Sequence, residues 1–219
     1  MIAAPYVAFF EGLEQNNHKA WFHANKATYE KEVKLPFTDL VASLISELTA
    51  LEAAIAPNPK DALFRINRDV RFSKDKTPYN LLMKASFAPG GKKSKLPGFY
   101  LGIGAHRVHA GGGLMNLSGA DLKRIRQAIA DDTQGFVSIV SAAPFVHHFG
   151  ELKGNRAKRI DKDLQPVLEK TKLIANKQFY AMRQFDLAPY LNSDQLNTVL
   201  MEHFKAIYPL NQFLKKALT

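Results

Sequence analysis

The residues most suited to chemistry lie between Arg65 and Tyr79, in the run RINRDVRFSKDKTPY. A phosphate or carboxylate ligand is bound best by bidentate arginine forks, lysine point charges and short hydroxyl donors. All three donor types occur between Arg65 and Lys74. The run therefore predicts a site for an anion. A structural network of arginine and aspartate uses the same residue types and stays open as the alternative.

The first part of this run has the two-residue period of a β-strand. The apolar residues Phe64, Ile66, Val70 and Phe72 are predicted to be buried on one face. The intervening polar residues, Arg65, Asn67, Asp69 and Arg71, then share the other face about 6–7 Å apart.

Arg68 falls on the apolar face of that strand, between Ile66 and Val70. A buried guanidinium needs an anionic partner, because an unpaired buried charge is strongly unfavourable. Asp75 is the first predicted partner, Glu11 or Glu14 come next, and a bound anion is the other solution. With a buried internal carboxylate as the partner, Arg68→Met alone is expected to cost on the order of 3–5 kcal/mol.

The charge distribution supports an anionic partner and opens a second hypothesis. The net charge is +10, and the residues from Lys60 to Lys95 account for +7 of it. Such an excess is also typical of a nucleic-acid-binding module. In that interpretation a phosphate backbone follows Lys84, Lys92, Lys93 and Lys95, while bases stack on Tyr79, Phe99 and Tyr100.

A third hypothesis is a metal-dependent phosphoesterase that uses Asp69 and Asp75, since Mg²⁺ is often held by one or two carboxylates and a substrate phosphate. The cations around both carboxylates argue against it, and no metal is predicted. No cofactor is predicted either, because Arg107 stands where the glycine run 102–107 needs glycine for dinucleotide binding. The chain has no cysteine, which excludes disulfides and thiolate chemistry.

The elements that must position these residues follow from periodicity. Helical faces are predicted at 6–13, ending at Asn16-Asn17, at 22–33, ending at Pro36, and at 37–51, ending near 56–59. Strands are predicted at 81–88, 98–104 and 107–110, with 111–113 as a flexible hairpin exit. Helix returns after a capping box at Ser118, with a further piece at 135–143. The stretch 147–159 is predicted as loop, followed by helix from Asp161 and a last helix from Ser193 that breaks at Pro209.

Strands joined by short connections favour an antiparallel meander. We therefore predict one α+β domain over residues 1–219, with an antiparallel sheet flanked by N-terminal and C-terminal helices. No stretch approaches the roughly 18 apolar residues of a membrane span. The N-terminus lacks an export signal, so no membrane partner is expected and the cytoplasm is the expected location.

Beyond the 65–79 run, the chain contains a further set of recognisable motifs: Asn16-Asn17, Trp21-Phe22, Asn25-Lys26, Tyr29, Pro97–Tyr100, Gly111–Leu114 and Leu122 with Arg126 and Ile129. Together with that run, these motifs resemble the DUF2461 family. The family usually has lysine where this chain has Asn80, and a Pro-Arg-Gly-Tyr-like segment where it has Ala157–Ile160. The resemblance implies a family membership and a motif, and it carries no activity.

The resemblance also links the second helix to the basic run, because such a helix could close a pocket beside the arginines. The predicted ligand-binding residues are Asn17, Trp21, Asn25, Lys26, Arg65, Asn67, Arg68, Asp69, Arg71, Ser73, Lys74, Asp75, Lys76 and Tyr79. The catalytic residues of any reaction are not indicated by the sequence. The expected partner is an anionic small molecule.

Overall fold

An aromatic helix begins the chain in the computed structural model, which describes residues 1–55 and 58–219. Helix α1 (Ala4–Gln15) buries Tyr6, Phe9, Phe10 and Leu13 and ends at Asn16. The hydroxyl of Tyr6 donates a hydrogen bond to the main-chain oxygen of Ile103 (2.8 Å). This helix matches the prediction in both its face and its end.

The next helical region runs on where an end was predicted. Helices α2 (Lys19–Ala24) and α3 (Lys26–Thr28) lead into a π-helical segment (Tyr29–Lys34), and α4 (Leu35–Leu51) follows directly. The predicted end at Pro36 is wrong. Pro36 is the second residue of α4 and follows the π-helical segment directly, so the helical backbone continues through it although proline has no amide hydrogen to donate.

Helix α4 carries the predicted apolar stripe, with Phe37, Val41, Leu44, Ile45 and Leu48 buried. It ends at Leu51, earlier than predicted, and part of the predicted end, Ala56 and Pro57, lies outside the described residues. A short helix, α5 (Pro59–Ala62), begins after Asn58, whose side chain accepts a hydrogen bond from the Lys60 amide.

The strands form one antiparallel sheet in chain order, β1-β2-β3-β4. They are β1 (Leu82–Phe87), β2 (Gly98–Gly104), β3 (Arg107–Leu114) and β4 (Phe179–Asp186). With the helices that flank this sheet, the structure confirms the predicted α+β class. Strand β4 was not predicted, although Phe179, Tyr180 and Phe185 give its sequence the aromatic content of a strand.

The glycine run 111–113 lies inside β3, so its prediction as a hairpin exit is wrong. A side chain at Gly111 would collide with the main-chain oxygen of Ala181, and one at Gly113 with that of Phe179. Gly113 also has a φ of +101°. The absence of side chains here allows β3 to approach β4 closely.

Helices fill most of the remaining chain: α6 (Gly119–Asp131), α7 (Thr133–Ser141), α8 (Ala143–Phe149), α9 (Gln165–Lys170) and α10 (Gln195–Leu218). The capping box before α6 is confirmed, because Ser118 Oγ accepts from the Asp121 amide at 3.1 Å. The predicted loop 147–159 begins only after Phe149.

The predicted break at Pro209 is also wrong, since α10 continues through it. Pro209 is exposed, while the buried side chains of Phe204, Ile207, Leu210 and Leu214 lie on both sides of it in sequence. Packing of that apolar face outweighs the hydrogen bond that proline removes.

The described residues divide into two compact units. Unit 1 comprises Met1–Lys92, Tyr100–Ala110 and Gln184–Met201, and unit 2 comprises Lys93–Phe99, Gly111–Arg183 and Glu202–Thr219. The prediction of a single domain over 1–219 stays a prediction. Among the described helices, none combines the length and apolar character that crossing a membrane requires.

Candidate functional site

Residues 65–79, called the basic loop below, form a narrow hairpin-like loop in unit 1, and the strand predicted over 64–72 is wrong. Asn67 and Tyr79 make an isolated antiparallel bridge. The Arg68 amide donates to Pro78 O, and the Asn80 amide to Ile66 O, both at 2.8 Å. Past Arg68 the main chain leaves this pairing and turns.

The predicted burial of the apolar residues is only partly confirmed. Ile66 is 5% exposed and Phe64 and Val70 are half-buried, but Phe72 is 96% exposed. The turn explains the difference, because the Ser73 amide donates to Val70 O (3.3 Å) and the strand alternation ends before Phe72. The polar residues Arg65, Asn67, Asp69 and Arg71 are all exposed, as predicted.

Arg68 pairs with Asp75, which confirms the first predicted partner. Its Nη1 lies 2.6 Å from Asp75 Oδ2, and the same nitrogen donates to the main-chain oxygen (3.1 Å) and the hydroxyl of Thr77. Hydrogen bonds from the Thr77 amide and from Arg68 lower the pKa of Asp75 to about 2. The Asp75 side chain is 57% exposed, so this pair is far less desolvated than the buried pair that the sequence suggested.

Asp69 and Arg71 form a second ion pair on the outside of the basic loop. The guanidinium donates through Nε to Oδ1 (2.9 Å) and through Nη2 to Oδ2 (2.6 Å). This fork lowers the pKa of Asp69 to about 2 and raises that of Arg71. The side chains are 61% and 77% exposed, so the pair contributes little to stability.

Tyr79 and Asn17 attach the basic loop to the N-terminal helices. The ring of Tyr79 is buried and stacks on Phe22, with centroids 4.1 Å apart and planes 16° apart. Asn17 Nδ2 donates to Tyr79 O (3.0 Å), and the Tyr79 amide donates to Asn17 Oδ1 (3.1 Å). Both residues were predicted to bind a ligand, but the Asn17 side chain and the Tyr79 main chain are hydrogen-bonded to each other.

The predicted helix residues have mainly structural contacts. Trp21 packs against Phe9 at 5.4 Å between ring centroids and covers Gly12, where a Cβ would lie 2.8 Å from the indole ring. Asn25 Nδ2 donates to Trp21 O (2.9 Å) at the end of α2. Lys26 is exposed.

The remaining predicted residues give the basic loop its exposed charge. Arg65, Lys74 and Lys76 are exposed, and Ser73 is half-buried. Lys76 Nζ donates to Val70 O (2.9 Å). In the part of the chain that the structure describes, no carboxylate lies within ion-pair distance of Arg65, Lys74 or Lys76.

Two of the four lysines predicted for a nucleic-acid track are engaged, and the other two, Lys93 and Lys95, are exposed. Lys84 Nζ donates to Asn80 Oδ1 (2.9 Å), and burial together with the charge of Arg68 lowers the Lys84 pKa. Lys92 Nζ donates to Lys60 O (2.5 Å). Of the predicted stacking residues, Tyr79 and Phe99 are buried and Tyr100 is half-buried, so the first two rings are closed to bases.

The two carboxylates proposed as metal ligands, Asp69 and Asp75, accept guanidinium hydrogen bonds that a metal ion would have to displace. Across residues 1–55 and 58–219, His, Asp and Glu side chains nowhere gather in threes in a way that could hold a metal ion. His148 packs against His203 at 4.5 Å between ring centroids, and burial is the main cause of its lowered pKa.

A second basic site, in unit 2, was missed by the sequence reasoning. A cavity of about 720 Å³, called the α6 cavity below, is lined by the start of α6 and by Lys95, Arg126 and Lys177. These cations are far apart in sequence, so no local motif marks them. Arg126 was noted only as part of the family resemblance, and its spacing from Leu122 and Ile129 indicated nothing more than a helix face.

Arg126 is held in place by main-chain oxygens. Its Nε donates to Ile174 O (3.0 Å), and its Nη2 donates to Ala175 O (3.4 Å) and Asn176 O (3.3 Å). Burial lowers the pKa of this guanidinium, and the charge of Asp161 opposes part of that effect. The side chain is therefore a fixed, partly desolvated cation.

The sequence profile of the family described as "Conserved hypothetical protein (DUF2461)" matches residues 5–213. The chain belongs to this family. The match covers nearly the whole 219-residue DUF2461 chain, including both the basic loop and the lining of the α6 cavity. A search of curated proteins found no match.

Proposed function

We propose that this DUF2461 protein binds a small ligand bearing a phosphate or carboxylate group at the basic loop. The supporting observation is the charge that remains after internal pairing. Arg68 is matched by Asp75 and Arg71 by Asp69. Arg65, Lys74 and Lys76 then leave three positive charges on a short exposed stretch.

The backbone that carries these cations is anchored at both ends. Main-chain hydrogen bonds close the base of the basic loop, and Asn17 and Phe22 attach its last residue. The Arg68–Asp75 pair and Lys76 Nζ hold its interior. An anion therefore meets cations on an ordered loop, which reduces the conformational entropy lost on binding.

A small ligand fits this arrangement better than a nucleic acid. A single-stranded nucleic acid usually needs aromatic side chains on which bases stack. Tyr79 and Phe99, two of the three predicted stacking residues, are in the core. One oxyanion needs only two or three convergent cations and a hydroxyl such as that of Ser73.

The test is a titration with inorganic phosphate and then with phenyl phosphate, followed by amide chemical shifts in NMR. We expect saturable shifts at residues 65–76 that are lost in the double variant Arg65→Gln/Lys74→Gln. Lys19→Gln is the matched control, because it removes one exposed cation of unit 1. Shifts that are absent, or that Lys19→Gln reduces equally, would overturn the proposal.

A single-stranded oligonucleotide titrated in parallel separates the alternatives. Binding of one oxyanion should weaken only modestly as salt rises, whereas contacts to several phosphates give a steep dependence on salt. Tight oligonucleotide binding that persists at physiological salt would favour the nucleic-acid hypothesis over a small ligand.

A further inference from the structure

In the α6 cavity none of the lining cations has a carboxylate partner at ion-pair distance among the described residues, whereas in the basic loop Arg68 and Arg71 are paired. Among residues 1–55 and 58–219, no acidic side chain lies within ion-pair distance of Lys95, Arg126 or Lys177. The cavity does contain one carboxylate, Asp121, which accepts from the Ser118 hydroxyl at 2.6 Å. This carboxylate is therefore hydrogen-bonded within the helix cap. With three cations against one carboxylate, the lining keeps a net positive charge.

We propose that the α6 cavity binds a small organic molecule that carries a phosphate or carboxylate on an apolar body. Arg126 is the central cation of this site, because main-chain oxygens fix its guanidinium. Lys95 and Lys177 are exposed and can adjust to the position of the anion. A guanidinium and two ammonium groups are a usual set for binding an oxyanion.

The apolar part of the ligand is inferred from the rest of the lining. Met115, Leu117 and Leu122 contribute apolar surface, and the Met115 side chain is 56% exposed. Exposed methionine is a common feature of adaptable apolar binding surfaces. The volume of about 720 Å³ lies within the range of about 300–1,000 Å³ that is typical of small-molecule sites.

The start of α6 adds donors at the same place. Gly119 lines the cavity, and a Cβ at that position would meet no atom within 4 Å. The Asp121 amide is already bonded to Ser118 Oγ, which leaves the amides of Gly119 and Ala120 without partners inside the helix, at the end where the helix dipole favours negative charge. This contribution supplements the three cations and does not replace them.

A cavity in unit 1 provides an internal comparison. It has a volume of about 210 Å³, and its lining contains the carboxylates of Asp39 and Asp194 and the amino-terminal residue Met1. With two carboxylates and one ammonium group, this lining favours an oxyanion less than the α6 cavity does. Of these two cavities, we therefore expect the α6 cavity to be the one that binds an anionic probe.

The experiment is calorimetric titration of the full chain with phenyl phosphate, benzoate, inorganic phosphate and neutral benzyl alcohol. In the Arg65→Gln/Lys74→Gln background, which removes the proposed anion site of the basic loop, we expect one equivalent of phenyl phosphate to bind at this cavity with a Kd of about 0.1–1 mM, with NMR shifts at residues 115–122. The double variant Lys95→Gln/Lys177→Gln should weaken binding about tenfold. Lys123→Gln, an exposed lysine of α6 outside the cavity lining, should change it less than about twofold.

Two further arms test the ligand class and separate this proposal from the basic loop. Met115→Ser should weaken phenyl phosphate about threefold and leave inorganic phosphate unchanged. Arg65→Gln/Lys74→Gln should leave binding at residues 115–122 unchanged. Absence of saturable shifts at residues 115–122, equal weakening by Lys123→Gln, or benzyl alcohol binding as tightly as phenyl phosphate would each overturn the proposal.

Discussion

The basic loop and the α6 cavity are both cationic, but their charged residues are distributed differently along the sequence. In the basic loop, arginine and aspartate alternate within a few residues, and four of these side chains pair with one another. In the α6 cavity, Lys95, Arg126 and Lys177 come from separate segments and have no such partners nearby in sequence. A dense motif can thus satisfy its own charges, whereas dispersed cations meet only when the chain folds.

The largest expected effect tests whether the basic loop depends on its attachment to the core. Tyr79→Ala removes a buried ring stacked on Phe22 and should lower the free energy of unfolding by about 3–5 kcal/mol. Chemical denaturation measures the change. Phe72→Ala, in the same loop but 96% exposed, is the control and should change stability by less than about 0.5 kcal/mol. Similar losses from both substitutions would contradict the anchoring role of Tyr79.

A smaller effect is expected from the ion pair inside the basic loop. Arg68→Met removes hydrogen bonds to Asp75 and Thr77 and should destabilise the protein by about 1–2 kcal/mol, since solvent reaches part of the pair. In an Asp75→Asn background the same substitution should have a smaller effect. Equal effects in both backgrounds would show that Arg68 and Asp75 are not coupled.

The two aspartates of the basic loop give a prediction on pH. The pKa of each is lowered to about 2, against about 3.9 for an unfolded chain. Each carboxylate therefore stabilises the folded state above about pH 4, and this contribution is lost as pH falls towards 2. Carboxyl-carbon NMR titration should give midpoints near the lower value. Asp75→Asn should flatten the acid limb of the stability curve, and an unchanged limb would contradict the assignment.

The comparison also shows which parts of the structure a sequence can predict. Helices α1 and α4 were predicted from apolar residues three and four apart, because their buried faces depend on local periodicity. The Arg68–Asp75 pair was predicted because Arg68 lies between the apolar residues Ile66 and Val70 and needs an anionic partner, and Asp75 is a carboxylate only seven residues further along the chain. These features arise from neighbours in the chain.

The errors arose where distant packing decides the outcome. Pro209 continues a helix because its flanking residues are buried, and Gly111–Gly113 continue a strand because β4 approaches them. Phe72 is exposed although the alternation around it predicted burial, because the backbone turns before it. The lining of the α6 cavity required contacts between segments that no local pattern encodes.

The smallest effect on stability is expected from the lysines of the α6 cavity, because they have no ion-pair partner in the described part of the chain, unlike Arg68 in the basic loop. Lys95→Gln/Lys177→Gln removes two exposed cations. Within the described ranges 1–55 and 58–219, neither lysine has a carboxylate at ion-pair distance. We expect the free energy of unfolding to change by less than about 0.5 kcal/mol, or to rise slightly, because the chain carries a net charge of +10 and loses self-repulsion. Denaturation at low and high salt measures this, and any gain should shrink as salt increases. Such a result would mean that Lys95 and Lys177 do not stabilise the fold and are available to bind a ligand. A loss above about 1 kcal/mol would instead assign the two lysines a structural role, like that of Arg68.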